Sequence, residues 1–271
     1  MSRLAYALAD GVIVARRNLR KTRRLPDVLV WTTMSPIMFV LLFGYVFGSA
    51  IGDLGPGGKI NYREFLAAGI FCQTVIFGAT FTGASLADDM QKGIIDRFRS
   101  LPMARSALLI GRTASDIVNN SISMVVMSLT ALLIGWRINT SIPEAIGGFL
   151  LILLFAYAIS WVMAYVGLIV PSVEVVNNAS FMVIFPLTFI ANTFVPSPTL
   201  PTVLRTIAEW NPVSAVAQAA REAFGNTAAG VTVSQAWSLQ NPVIYTLLWV
   251  GIILAIFVPL SVRQYQRAAL R

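Results

Sequence analysis

The chain has 271 residues, of which 56% are hydrophobic and only 12% are charged. Soluble domains carry about a quarter charged residues, so this chain has too few charges to cover a surface that faces water. It contains no histidine, which excludes His-ligated metal sites and nucleophiles that histidine activates. These properties predict an integral membrane protein and argue against a soluble enzyme.

Several apolar runs are long enough to cross a bilayer, which takes about 20 residues in a helix. Their apolar cores contain no Asp, Glu, Lys or Arg, so insertion is favourable. Six spans are expected, at 28–50, 65–87, 113–135, 145–170, 175–195 and 243–262. The sequence therefore predicts an all-α membrane protein in which residues 28–271 form one transmembrane domain.

The basic residues are distributed unevenly along the chain. Seven precede the first run, five lie between the second and third runs and three follow the sixth, against five in all other connections. The positive-inside rule places the basic-rich connections in the cytoplasm. We therefore expect a multi-pass protein of the cell inner membrane with both termini cytoplasmic. Its net charge of +8 is assigned to the inner membrane face and not to nucleic acid.

Residues 1–27 combine an apolar stripe with clustered arginines. The apolar residues at helical spacing are Leu4, Leu8, Val12, Ala15 and Leu19. This pattern predicts an amphipathic helix on the inner leaflet. An ordinary solvated basic tail is the alternative.

The connection between the second and third spans also has a helical pattern. Met90, Ile94 and Phe98 lie on one face, Asp88 and its neighbour stand at the expected start, and a proline follows the end. We expect a short amphipathic helix here on the cytoplasmic side. Its apolar face fits either lipid or a groove on another protein.

The connection between the fifth and sixth spans contains two further apolar stripes. The longer stripe consists of Val213, Val216, Ala217, Ala220 and Phe224, and the shorter one of Leu200, Leu204 and Ile207. Neither stripe is long enough to cross the membrane. We expect an external helical hairpin that is re-entrant or interfacial, with a folded loop as the alternative.

Motifs that would indicate other functions are incomplete in this sequence. The glycine-rich stretch Gly55–Ile60 lacks the spacing and the Ser or Thr of a phosphate loop. The pair Asp88 and Asp89 has no second acidic cluster with which to hold Mg²⁺. Asp116 and Glu174 are expected at span ends, which weakens an ion-coupled mechanism. We therefore predict no nucleotide, metal or cofactor site in this chain.

Two regions carry a family resemblance. The first is DDMQKGIIDRFRSLPMARSALLIGR (88–112), with Gly93, the Arg-Ser-Leu-Pro stretch 99–102 and Gly111-Arg112. The second comprises Phe194-Val195-Pro196, Leu200-Pro201, Asn211-Pro212 and Arg221. The chain resembles the permeases of type-2 ABC exporters, closest to the daunorubicin-resistance branch. It departs from the wider family at Asp89, where glutamate is usual.

The resemblance implies a permease homodimer that pairs with two copies of a separate cytoplasmic ATPase, which binds ATP and Mg. It makes the short cytoplasmic helix the element that couples to that ATPase. The coupling residues on this analogy are Asp89, Met90, Lys92, Gly93, Ile94, Ile95, Arg97, Phe98 and Arg99. The chain itself is then not an enzyme.

The resemblance also implies a translocation path along the first, second and fifth spans. Polar residues expected on that path are Gln73, Thr74, Thr80, Asn177, Asn178, Asn192 and Thr193. The external helices would form an outer gate that includes Asn211, Pro212 and Arg221. The alternative for each path residue is a bond to a neighbouring helix, a common role of polar side chains in membranes.

The expected function is an exporter permease subunit for hydrophobic or amphipathic compounds, drugs or lipids, taken from the cytoplasm or inner leaflet. The alternatives are a type-2 permease for a lipid-linked glycan or wall polymer, and an ion-coupled carrier. Aromatic residues along a continuous channel would favour the glycan, whereas laterally open apolar clefts would favour drugs and lipids. An intramembrane enzyme predicts clustered catalytic groups, which the sequence lacks.

Overall fold

The computed structural model describes residues 11–15, 34, 37–47, 62–94, 107–170, 172–227 and 234–268. Within these ranges all regular elements are helices, and five helical segments are long and apolar enough to cross a membrane. The chain is therefore a multi-pass membrane protein. Most of the predicted first span lies outside the described residues, and its described part, 37–47, is helical.

The helices are numbered in chain order. They are α1 (37–47, ending in the π-helical turn Phe43–Phe47), α2 (Tyr62–Gly78), α3 (Thr80–Gln91), α4 (Ala107–Leu133), α5 (Ile142–Ile169), α6 (Val173–Ile190), α7 (Thr202–Glu209), α8 (Pro212–Phe224), α9 (Trp237–Gln240) and α10 (Pro242–Ala268). α2 and α3 together form one span that is interrupted at Ala79.

Two of the boundaries that differ from the predicted spans bear on the sites described below. α4 is already helical at Ala107, six residues before the predicted start at 113, so Arg112 lies inside the helix. α6 ends at Ile190, five residues before the predicted end at 195, because Ala191 has extended backbone angles. Hydropathy did not detect this end, since residues 191–195 remain mostly apolar.

The short helix α8 is well specified at both ends by its sequence. The Asn211 side chain accepts a hydrogen bond from the Val213 N–H, and Pro212 occupies the first turn, where a missing N–H costs nothing. Gly225 ends the helix with a φ of 68°, a left-handed conformation that suits glycine. The predicted apolar stripe of this helix is buried throughout, at Val213, Val216, Ala217, Ala220 and Phe224.

The core is organised around α5, which packs against α3, α4, α8 and α10. Aromatic rings fill one end of this core, where Trp136 meets Phe71 and Phe224 edge-on at centroid distances of 5.3 and 5.4 Å. The Trp136 Nε1–H donates to Asn226 Oδ1 at 2.7 Å, so the buried indole has its partner. We call this end, where α7 and α8 lie, the hairpin end.

The opposite end, where α3 ends and α4 begins, is called the junction end. A second apolar cluster lies there, formed by Val14, Leu86, Leu108, Leu109, Trp161, Ala164, Leu168 and Tyr265. Residues 11–15 are helical and pack on α4, so closely that a Cβ on Gly111 would lie 2.5 Å from the Val14 Cβ. The rest of the predicted helix over 1–27 lies outside the described residues.

Candidate coupling and gating sites

The chain between α3 and α4 begins differently from the prediction. The helix expected to start at Asp88 does not start there, because residues 88–91 form the last turn of α3. The N–H groups of Lys92 and Gly93 donate to the carbonyls of Asp88 and Met90, and Gly93 has a φ of 63°. This left-handed glycine ends α3, and helical conformation resumes at residue 94.

The predicted coupling residues therefore divide between two elements. Lys92 and Asp88 form an exposed ion pair at 2.7 Å, whereas Asp89 is only 8% exposed. Met90 packs on the cluster at the junction end, and a Cβ on Gly93 would meet nothing within 4 Å. Ile94 is half-buried. The other four, Ile95, Arg97, Phe98 and Arg99, lie outside the described residues.

Buried polar contacts join α3 to α4 above this junction. The Thr82 hydroxyl donates to Asp116 Oδ2, and both side chains are buried. About one helical turn away, Asn120 lies so close to Gly78 that a Cβ there would be 2.3 Å from Asn120 Oδ1. The two contacts fix α4 against the α2–α3 span on the side that leads to the junction.

A close helix crossing joins α3 to α5. A Cβ on Gly167 would lie 2.3 Å from the carbonyl oxygen of Gly83, so the two backbones touch. Small residues at a crossing allow this approach, which is typical of packed membrane helices. α3 is thus held on two sides, by Asp116 of α4 and by Gly167 of α5.

At the hairpin end, Arg221 of α8 is 1% exposed and holds the turn that follows α6. Its guanidinium donates to Asn192 Oδ1 at 3.1 Å and to the carbonyls of Asn192 and Thr193 at 2.6 and 3.2 Å. The Nε–H donates to the Phe65 carbonyl at 2.9 Å. One side chain therefore links α8, α2 and the end of α6.

The charge of Arg221 is balanced by dipoles. Among the described residues no carboxylate lies within salt-bridge distance of it. Its acceptors are carbonyls just beyond the C-terminus of α6, where the helix dipole favours a cation. Burial lowers the pKa of Arg221 to about 9, so the guanidinium remains protonated at neutral pH.

The same turn is pressed against α2. A Cβ on Gly69 would lie 2.2 Å from the Thr193 carbonyl oxygen, so only glycine fits at this contact. The Tyr62 hydroxyl donates to the Phe194 carbonyl at 3.0 Å. Residues 192–194 are thus fixed by α8 from one side and by α2 from the other.

The predicted gate and part of the predicted path come together here. Besides capping α8, Asn211 donates from Nδ2 to the Leu187 carbonyl at 2.7 Å, and the Asn192 N–H donates to Ser214 Oγ at 2.9 Å. Asn192 and Thr193, expected on the path, are buried beside Arg221. Tyr62 and Ser214 were missed, because no local pattern marks residues that bond backbone groups far away in the sequence.

The remaining predicted path residues do not converge. On the α2–α3 span, Gln73 is 4% exposed, whereas Thr74 and Thr80 are half-buried. The Thr80 hydroxyl donates to a carbonyl of its own span at 2.7 Å. Asn177 and Asn178 are exposed near the start of α6.

A row of stacked phenylalanine rings follows those asparagines along the exposed side of α6. Phe181 and Phe185 have centroids 4.9 Å apart, and Phe185 and Phe189 are 4.1 Å apart. Phe194 and Phe43 of α1 extend the row at 5.0 and 4.7 Å. The three α6 rings are 38–56% exposed and accessible from outside this chain, whereas Phe194 is buried. We call these five residues the phenylalanine row.

Residues 11–224 match the family model described as ABC-2 type transporter. The daunorubicin resistance ABC transporter permease protein DrrB1 of Streptomyces coeruleorubidus is 30% identical over 92% of this chain and 83% of its own length. Proteins named as ycf38 transport permeases in Porphyra purpurea and Pyropia yezoensis are 25% and 26% identical over 79% of this chain and 73% of theirs. The chain therefore belongs to the ABC-2 type transporter family and is a permease subunit, as the resemblance implied.

Proposed function

We propose that this chain is the membrane permease of an ATP-driven exporter that moves hydrophobic or amphipathic compounds out of the cytoplasm or the inner leaflet. The observation that carries the proposal is the match to a daunorubicin resistance permease across nearly the whole chain. In the proposed assembly two copies of the chain form a homodimer and bind two copies of a separate ABC ATPase. That ATPase binds ATP and Mg, and both termini of the permease are cytoplasmic in the inner membrane.

The contacts at the junction end support a mechanism of coupling. Residues 94–99 would place Ile94, Ile95 and Phe98 in a groove of the ATPase, with Arg97 and Arg99 at its rim. Thr82 is hydrogen-bonded to Asp116, and the Asn120 side chain packs closely against Gly78. Because of these two contacts, α3 and α4 are expected to move together when this segment moves. Displacement by the ATPase would then reach the whole length of both helices.

The contacts at the hairpin end support a gate. Motion of α2 would reach the turn after α6 through Gly69 and would change the contacts of Arg221. Asn211 and Pro212 begin the helix that carries this arginine, so we assign all three to the outer gate. In the proposed gate, the carbonyls that share this guanidinium would be bound or released together, and the turn would then have two states.

The phenylalanine row supports a hydrophobic cargo. Its rings have no hydroxyl or indole N–H with which to bind the hydroxyls of a sugar. They offer apolar faces and edges that suit aromatic or aliphatic compounds. Its three α6 rings lie on an open face, and the described residues do not enclose them in a channel, which favours drugs or lipids over a glycan.

Co-purification tests the subunit assignment. The tagged chain is extracted from its host in mild detergent and assayed for a bound ATPase, alongside the double variant Ile94→Asp with Phe98→Asp. We expect the ATPase to copurify with the normal chain and to be lost from the variant, because carboxylates are not accommodated in an apolar groove. The double variant Ile94→Leu with Phe98→Leu is the matched control and should retain the ATPase.

The proposal fails if no ATPase copurifies under several gentle conditions. Retention of the ATPase by the aspartate variant would instead reject only the assignment of the coupling residues.

A further inference from the structure

The two helices of the external hairpin differ sharply in what surrounds them. α8 is buried on nearly every face, whereas Ala208 is the one buried residue of α7. On α7, Val203, Leu204 and Ile207 are 73%, 39% and 49% exposed. These three residues lie on one side of the helix at i, i+1 and i+4 spacing. The apolar side of α7 is therefore not covered by the part of this chain that the structure describes.

The opposite side of α7 is polar. It carries Thr202, Arg205, Thr206 and Glu209. Arg205 Nε and Glu209 Oε1 pair at 2.7 Å, and the Ser234 hydroxyl donates to the same carboxylate oxygen at 2.7 Å. An apolar side without cover and a polar side held by charges and hydroxyls are typical of a helix lying in a membrane interface.

An aromatic cluster marks the position of that interface. The ring centroid of Tyr245 lies 6.1, 6.2 and 6.4 Å from the ring centroids of Trp210, Trp237 and Trp249. Trp210 and Trp237 are 50% and 46% exposed, and the Tyr245 hydroxyl donates to the Trp210 carbonyl at 2.8 Å. Exposed tryptophan and tyrosine collect at the headgroup level, because their rings are apolar and their tips are polar.

The apolar side of α7 adjoins an exposed apolar stripe on α10. α10 exposes Ile244, Leu248, Ile252 and Ile256 at 47–53%, all on one stripe of a membrane-spanning helix. Tyr245 lies in the first turn of α10 and contacts Trp210, which directly follows α7. The aromatic cluster therefore joins the end of α7 to the start of this exposed apolar stripe.

We propose that α7 is a lipid-binding interfacial helix, with Val203, Leu204 and Ile207 inserted into the leaflet at the hairpin end. The hairpin is then divided, because α7 rests on lipid while α8 is enclosed by protein. Since Trp210 adjoins Asn211, lipid contact at α7 is transmitted directly to the cap of the helix that carries Arg221.

Site-directed spin labelling tests this proposal in the full-length chain. The chain has one cysteine, the buried Cys72, so a Cys72→Ala background allows single labels at chosen positions. Labels are placed by Val203→Cys and Ile207→Cys, with Thr202→Cys and Thr206→Cys as matched exposed controls on the same helix. The protein is reconstituted in nanodiscs of palmitoyl-oleoyl phosphatidylcholine with a minority of phosphatidylglycerol.

We expect labels at 203 and 207 to collide with oxygen, which dissolves in lipid, and to be protected from a water-soluble nickel chelate. Labels at 202 and 206 should show the reverse, with a several-fold difference in the accessibility ratio. Equal nickel accessibility at all four positions would place α7 in water and overturn the proposal. Protection of 203 and 207 from both reagents would also overturn it, because protein would then cover this side. Neither result depends on an ATPase or on transport, so the proposed function is tested separately.

Discussion

The guanidinium carbon of Arg221 lies 3.6 Å from the centroid of the Phe65 ring, and the same side chain donates to the Phe65 carbonyl. A cation over a ring face and a hydrogen bond to that residue's backbone fix the guanidinium on α2. Its remaining donors hold the turn at Asn192 and Thr193. One buried arginine therefore connects three segments of the hairpin end, α2, α8 and the turn after α6.

Replacing Arg221 by lysine is expected to destabilise the protein although the charge is kept. Lysine cannot present the planar fork that reaches several carbonyls at once, so buried acceptors lose their donors. The expected cost is about 3–5 kcal/mol, as for loss of one member of a buried charged network. Thermal unfolding in detergent measures it. Arg137→Ala is the control and should have a much smaller effect, because Arg137 is exposed. An equal loss in both variants would contradict the assignment.

Gly69→Ala should also destabilise the hairpin end. The added methyl group would lie 2.2 Å from the Thr193 carbonyl oxygen, so backbone has to move. Such overpacking costs about 1–3 kcal/mol. Gly147→Ala on α5 is the matched control, because nothing lies within 4 Å of its added Cβ. It should leave the melting temperature unchanged or raise it. A neutral Gly69→Ala would show that the turn is not packed as described.

Thr82→Val should weaken the contact between α3 and α4. The substitution preserves shape but removes the hydroxyl that donates to Asp116. A buried acceptor without its donor costs about 1–3 kcal/mol. Asp116→Leu should cost a similar amount, and the double variant should cost less than the two single losses added together. Thermal unfolding of all four proteins gives this double-mutant cycle, and strict additivity would show that the two residues do not interact.

Glu209 predicts a dependence of stability on acid pH. Burial alone raises its pKa, but hydrogen bonds from Arg205 and Ser234 outweigh that effect and hold the pKa below its ordinary value of 4.5. A carboxylate with a lowered pKa stabilises the fold above its unfolded pKa, and this contribution is lost as pH falls through the folded pKa. Glu209→Gln should therefore lower the melting temperature at pH 7, and the difference should vanish in acid. A difference that persists in acid would exclude this origin.

The phenylalanine row gives a prediction about transport. Phe185→Ala and Phe189→Ala should each reduce export of a planar aromatic dye several-fold, because each removes stacking area from the middle of the row. Met182→Ala is the matched control on the same helix. Met182 is 79% exposed and lies outside the row, so its truncation should leave transport unchanged. Equal losses in all three variants would show that the row has no special role.

Hydropathy predicted the five long helical segments that the structure describes, and the spacing of Val213, Val216 and Phe224 predicted the short helix α8 with an apolar stripe. These features follow from local periodicity. The short stripe at Leu204 and Ile207 was also predicted, but its exposure was not predicted. Periodicity identifies an apolar face without showing whether lipid or protein covers it.

The predicted start of the helix between α3 and α4 was wrong, because a local pattern was again compatible with two structures. The acidic pair at residues 88 and 89 is typical of a helix start, yet here it lies in the last turn of α3. The true interruption is at Gly93, which has a left-handed backbone. The sequence alone does not distinguish such a glycine from one inside a helix. The convergence of Asn192, Thr193 and Arg221 was equally hidden, because it joins segments that are 28 and 29 residues apart.

The most direct test of the central claim is ATP-dependent transport of an amphipathic fluorescent dye into inverted membrane vesicles that contain this chain and its ATPase. We expect uptake to require ATP, to persist when a protonophore collapses the ion gradient, and to be lost in the Ile94→Asp, Phe98→Asp variant. Uptake that continues without ATP and stops with the protonophore would contradict the account and would identify an ion-coupled carrier instead.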